Sequence, residues 1–191
     1  LSRIDTDNDE IKNYYSEKDN GNLLDSNRWR LLTTKEGKLI IFGINGVNLY
    51  DEEKDNFNSI ALKENNLNTA VIYSEEEDSN RHIWIGTDKG LVELDKDLNL
   101  IKSYEDTIGE VEVYSIYDDS KGNLWVCTLG NGLFRINLND KSIKNYKNSR
   151  SASSILSNNI RDVISNSSGD SIYGIYKDDD TFDKHIYIDS P

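Results

Sequence analysis

Methionine is missing altogether from this 191-residue chain, and proline and cysteine appear once each. A lone cysteine, Cys127, excludes an internal disulfide and a zinc site made of several thiolates. Positive charge is also short: 22 Lys and Arg stand against 35 Asp and Glu, for a net charge of −13. A surface that acidic repels phosphate backbones and anionic lipid, so neither nucleic acid nor direct membrane contact by this segment is expected. No apolar run approaches the length of a membrane span, and no basic-then-apolar leader opens the chain. The sequence starts inside a strand-like run, Leu1 to Asp5, without an initiating methionine, and the expectation is a piece of a longer polypeptide.

What the chain does have is aromatic bulk: 11 Tyr, 3 Trp and 4 Phe within a hydrophobic fraction of 36%. That is enough apolar surface for a core. Regular apolar clusters and the single proline argue against disorder.

The clusters repeat. RHIWIGTDKGLVELD, from Arg81 to Asp95, has a second copy in NLWVCTLGNGLFRIN, from Asn123 to Asn137. Trp84 matches Trp125, Thr87 matches Thr128, Gly90 matches Gly132 and Leu94 matches Ile136. A weaker copy, KLIIFGINGVNLYD from Lys38 to Asp51, has Ile40 in the tryptophan position and Gly46 in the glycine position. Gly46 and Gly90 are 44 residues apart, Gly90 and Gly132 are 42 apart. The flanks recur too. WRLLT, AVIYS and VYSIYDD precede the copies, while EIKNY, LIKSY and SIKNY end at Tyr14, Tyr104 and Tyr146.

Each repeat therefore holds four short strand-like runs joined by Gly- and Asn-containing turns, residues that accept the positive φ of tight hairpins. Four antiparallel strands at this period are the unit of a β-propeller blade. The predicted fold is all-β, a β-propeller segment. Residues 1–15 form the last two strands of a blade, 24–62, 67–104 and 110–146 form blades, and 155–191 form the first strands of a further, irregular blade. Two readings stay open at that last unit. In one, SIYGIYKDD from Ser171 is the first strand and KHIYIDS the second, with Tyr187 in the tryptophan position and His185 matching His82. In the other, NNIRDVISNSSGD from Asn158 is the first strand. The partial units at the two ends complement each other if the last supplies two strands. Closure as four blades is then the alternative to the preferred reading, an open piece of a larger propeller.

The run from Asp119 to Arg135, DSKGNLWVCTLGNGLFR, resembles the two-component regulator propeller repeat, as does HIWIGTDKGLVELD. SILSNNIRDVIS, from Ser154 to Ser165, resembles the linker and first strand that follow such a repeat. The resemblance implies an extracytoplasmic, ligand-binding sensor segment of a membrane-anchored bacterial receptor, upstream of a histidine kinase or a diguanylate cyclase. It implies a small-molecule or glycan ligand and no enzymatic activity, and it supplies no catalytic residue. A protein-interaction platform, docking other blades or a second copy, is the first alternative. A propeller enzyme acting on polysaccharide is the second.

Candidate residues divide by whether they repeat. Trp84 and Trp125 hold one repeat position and are expected in the inter-blade core. Trp29 stands outside that pattern, in a first strand between Arg28 and Arg30. First strands line the channel of a propeller, so Trp29, Arg28 and Arg30 are the ligand-binding candidates, with core packing the favoured reading of Trp29 itself. His82 and His185 precede equivalent strands on this reading and are expected to be loop residues, with no metal and no cofactor between them. DTDNDE, Asp5 to Glu10, has the opening of a calcium loop but Glu10 and Ser16 where glycine and glutamate are needed, so it reads as a turn, with weak calcium binding by Asp5, Asp7 and Asp9 as the alternative. The acidic runs at Glu75–Asp78 and Asp178–Asp180 read as solvated turns. Cys127 shares a strand face with Trp125 and reads as a small buried hydrophobe.

Overall fold

The computed structural model describes residues 1–16, 23, 30–43, 46–60, 70–151, 153–168, 171–178 and 181–189. The chain divides into two compact units, Leu1–Val71 and Ile72–Pro191.

In the first unit, β1 (Ser2–Ile4) pairs with β2 (Ile11–Asn13), and a four-stranded sheet runs β3 (Arg30–Thr33), β4 (Leu39–Gly43), β5 (Gly46–Asp51), β6 (Asn56–Ile60) in sequence order. In the second unit, β7 (Ile72–Glu77), β8 (Ile83–Thr87), β9 (Gly90–Leu94) and β10 (Leu100–Ser103) form a second such sheet. After the short helix α1 (Glu105–Ile108), a third sheet contains β11 (Val113–Asp118), β12 (Asn123–Thr128), β13 (Leu133–Asn137) and β14 (Ile143–Tyr146). The last sheet has three strands: β15 (Ile160–Ser165), β16 (Ser171–Asp178) and β17 (Thr181–Asp189). Among the described residues the named strands pair antiparallel between sequence neighbours, the meander of a propeller blade.

Blades stack face to face, and that explains the unbroken apolar runs. β12 reads NLWVCT, and Leu124 through Thr128 are all buried. Alternate side chains leave its two faces. Leu124 and Val126 enter a core with Trp84, Leu91, Tyr104 and Phe134. Trp125 and Cys127 enter the next one, with Leu133, Ile155, Ile160 and Ile172. The same logic operates in the first unit, where Tyr14 packs with Leu23, Ile41 and Phe57.

The first strands pack side by side: β11 touches both β7 and β15. Gly86 is small for this reason. A Cβ there would stand 2.2 Å from Ser74 Oγ and 2.8 Å from the Val113 carbonyl oxygen. Gly132 combines φ of +83° with a Tyr146 carbonyl oxygen 2.2 Å from where its Cβ would lie, so the repeated glycine belongs to the hairpin itself.

The C-terminal unit departs from one of its two readings. Ile160–Ser165 is the first strand, and Ile172 buries against Trp125 as Leu124 buries beside Trp84. In register, Tyr173 takes the tryptophan position, because it faces Ile164 as Trp125 faces Tyr117. Tyr187 instead lies opposite Tyr173 in the third strand, and His185 opposite Ile175, so His185 is not the counterpart of His82. The reason is that consecutive Tyr- and Ile-rich runs satisfy the same period-2 pattern, and a shift of one whole strand leaves that pattern intact. The unit thus supplies three strands rather than two.

Candidate functional site

The repeated residues form a scaffold. Trp84 is fully buried and Trp125 1% exposed. Each indole is held by an aspartate in the turn between first and second strands. Asp78 Oδ2 accepts from Trp84 Nε1 at 2.9 Å, while its Oδ1 accepts from the backbone N–H groups of Asn80 and His82 at 2.8 and 2.9 Å. Asp119 repeats this with Trp125 Nε1 at 3.0 Å and with Lys121 N and Asn123 N. In the first unit the corresponding pair is Thr34 and Ile40. There is no indole to bind, and Thr34 Oγ1 accepts from Lys38 N at 3.1 Å. Asp78 is therefore a correction to the solvated-turn reading of Glu75–Asp78. It is fully buried, and Glu75 to Glu77 lie within β7. Buried Glu77 pairs with Arg81 Nη1 at 3.1 Å. A buried carboxylate that accepts several N–H groups is satisfied where it stands, which a charge count cannot show. For the other acidic run, Asp178 ends β16 while Asp179 and Asp180 lie outside the described residues.

Glu93, also 1% exposed, sits opposite Trp84 in β9 and accepts from His82 Nδ1 at 2.7 Å, Tyr104 Oη at 2.7 Å and Lys141 Nζ at 2.6 Å. Burial alone would raise its pKa, but the bonds from Lys141, Tyr104 and His82 outweigh burial and hold the carboxyl below its ordinary value. His82 is thus a structural partner. Burial followed by the bond to Glu93 pushes the Tyr104 phenol well up.

A different row runs along the first strands. β7, β11 and β15 each carry a register shift near their start, between Ile72 and Ser74, Val113 and Ser115, and Ile160 and Asp162. The residues skipped are Tyr73, Tyr114 and Arg161. Such irregularities re-aim a side chain. The rings of Tyr73 and Tyr114 stack at 4.9 Å with planes 16° apart, and the Arg161 guanidinium lies 5.1 Å over Tyr114. All three are half-buried. Ser115 Oγ donates to Asp162 Oδ1 at 2.7 Å beside them. Arg161 Nε is buried without a hydrogen-bond partner among the described residues, a donor that a bound acceptor would satisfy. Two phenols and one guanidinium in line offer hydroxyl donors and a cation on an otherwise acidic protein.

Arg28 and Trp29 lie outside the described residues. Arg30 opens β3 and is exposed. Pairing places Arg30 level with Ser74, since Arg30 stands two residues before Leu32, the partner of Ile40, as Ser74 stands two before Glu76, the partner of Trp84. By count, Trp29 then corresponds to Tyr73, Tyr114 and Arg161. Sequence reading missed the row because it aligned first strands by their apolar beginnings. The signal was there: a large aromatic or a cation directly after the β-branched residue Ile72, Val113 or Ile160 that begins each first strand.

Cys127 is buried with Trp125 as expected from strand alternation, and burial pushes its thiol well up, away from nucleophilic use. Asp5–Glu10 forms the turn between β1 and β2: Asp5 Oδ1 accepts from Asp7 N and Asn8 Oδ1 from Glu10 N, both at 2.9 Å. Among the described residues no group of three or more His, Cys, Asp or Glu is placed to hold a metal ion.

Residues 107–130 match the family model of the two component regulator propeller, which bears out the resemblance read from Asp119–Arg135. No curated protein matches the chain. Among solved structures, the extracellular domain of a one-component system from B. thetaiotaomicron aligns at a TM-score of 0.76 and 20% identity, covering 97% of this chain. The extracellular domain of a hybrid two-component system from the same organism aligns at 0.64 and 18%, covering 88%. The chain spans 24% of the length of each. Virginiamycin B lyase from Staphylococcus aureus aligns at 0.58 and 16%, covering 98% of this chain and 62% of the lyase. At these identities the likeness establishes the propeller fold.

Proposed function

We propose that this chain is a non-enzymatic, extracytoplasmic sensor segment of a membrane-anchored signal receptor, and that a small molecule or glycan touches it along the first-strand row. The carrying observation is the row itself. At one structural position the blades place Tyr73, Tyr114 and Arg161, where the neighbouring repeat positions keep conserved scaffold chemistry. The matched regulator-propeller repeat and the extracellular signalling domains among the structural relatives support the receptor context. Among the described residues no helix is long and apolar enough to cross a membrane.

Arg161 supplies charge-assisted donors for a carboxylate or sulfate, and the tyrosines supply hydroxyls and ring edges for a sugar; Trp29, Arg28 and Arg30 are proposed separately as ligand contacts of the first unit. Signalling follows if ligand binds one arrangement of the receptor better than another. The row has no paired acid and base and no activated nucleophile, which disfavours the polysaccharide enzyme despite the lyase relative. A thermal-shift panel of neutral and anionic glycans and metabolites on the folded chain tests the proposal. At least one ligand should raise the melting temperature, less so for Arg161→Met. A folded sample that no member of the panel shifts would contradict it.

A further inference from the structure

The first-strand row has a second tier, and one blade changes both. Directly after the row residues stand Ser74, Ser115 and Asp162, where the regular register of β7, β11 and β15 resumes. The two positions read Tyr73–Ser74, then Tyr114–Ser115, then Arg161–Asp162. Two blades carry a neutral phenol and hydroxyl there, and the third carries a cation and an anion.

Both charged side chains of β15 reach β11. The Arg161 guanidinium lies 5.1 Å over the Tyr114 ring, and Asp162 Oδ1 accepts from Ser115 Oγ at 2.7 Å. Adjacent residues of a regular strand leave opposite faces. The register shift between Ile160 and Asp162 lets these two reach the same neighbouring strand.

The fold uses up neither charge. Among the described residues Arg161 forms no ion pair, with Asp162 or any other carboxylate, and its Nε has no hydrogen-bond partner. Asp162 accepts from Ser115 Oγ and from the Val163 N–H, at 2.7 and 2.9 Å, both on Oδ1. Its Oδ2 accepts from no described residue. Holding the serine does not require a carboxylate either. Ser74 Oγ donates instead to a neutral acceptor of the next first strand, the Val113 carbonyl oxygen, at 3.4 Å.

We propose that Arg161 and Asp162 form a zwitterion subsite. Arg161 takes a carboxylate and Asp162 Oδ2 an ammonium group of one small ligand, beside the Tyr73 and Tyr114 phenols. This rests on the ligand reading of the first-strand row and narrows it. The shared chemistry is a carboxylate and an unblocked amine on one molecule, as in a free amino acid or an amino sugar acid. A ligand with anionic groups alone meets Asp162 as a like charge, and a neutral sugar leaves both charges unanswered.

The test adds the proteinogenic L-amino acids and muramic acid to the glycan and metabolite panel, read by thermal shift and calorimetric titration of the folded chain. Whether an amino acid or muramic acid binds tighter identifies the source. For the tightest binder, blocking the amine by N-acetylation or the carboxylate as a methyl ester should each weaken binding about tenfold or more. Asp162→Asn keeps an oxygen for Ser115. It should weaken the zwitterion to the level of its N-acetyl form and leave the N-acetyl form unchanged. Arg161→Met should do the same with respect to the methyl ester. A ligand that needs Arg161 but is indifferent to N-acetylation and to Asp162→Asn overturns the zwitterion subsite and leaves the row reading standing. A folded chain that no ligand shifts overturns both. Should Asp162→Asn fail to fold, the native chain decides alone: equal affinity for the zwitterion and its N-acetyl form overturns the proposal.

Discussion

Asp78 shows how much one carboxylate does in this repeat. It accepts from two backbone N–H groups and from the Trp84 indole, fixing the turn and the largest core side chain together. Asp78→Ala strands the buried Trp84 indole donor and two part-buried backbone donors and is expected to cost about 3 kcal/mol in urea denaturation. Trp84→Phe removes a single donor, plus some volume. Glu93 gives a pH signature. Its folded pKa is depressed, so its stabilisation is complete above the ordinary value of 4.5 and is lost as pH falls through the lower folded value. The stability gap between the native chain and Glu93→Gln should be wide at pH 7 and shrink toward pH 3. None of this chemistry was legible beforehand. Asp78 reads as one of four acidic residues in a row, and its bonds to the Trp84 indole and the turn backbone set it apart in the fold.

Strands and turns were legible because their signals are local: period-2 alternation, Gly and Asn at turns, one Thr and one Gly at fixed offsets. Thr87 and Thr128 close the second hairpin by donating to the Gly90 and Gly132 carbonyls at 3.0 and 2.7 Å, so their recurrence had a structural cause. What was not legible is which run is which strand once the spacing changes. The C-terminal unit misled for that reason: KHIYIDS carries the second-strand pattern but occupies the third strand. Packing between elements is also invisible in sequence. Gly86→Ala forces a Cβ into the Ser74 hydroxyl and the Val113 backbone of the next blade, and should cost about 2–3 kcal/mol. Gly130→Ala meets no atom within 4 Å and carries only the penalty of its φ of +99°, about 1 kcal/mol. Equal losses in the two variants, measured by chemical denaturation, would contradict the packing account.

At the scale of the molecule, repeat-equivalent positions divide into two kinds. One keeps its chemistry between the β7–β10 and β11–β14 blades: Asp with Trp, Thr with Gly, Tyr at the end of the fourth strand. The other changes identity at constant geometry, as in Tyr73, Tyr114 and Arg161, and there the blades present different groups along adjacent first strands. The account places ligand contact on the second kind and assigns the first to stability. The direct test is an NMR titration of the chain, labelled at tyrosine rings and tryptophan indoles, with a ligand that raises its melting temperature. The account predicts that the Tyr73 and Tyr114 ring signals move with ligand while the Trp84 and Trp125 indole signals stay in place. Indole shifts at Trp84 or Trp125 with both tyrosines unmoved would contradict it.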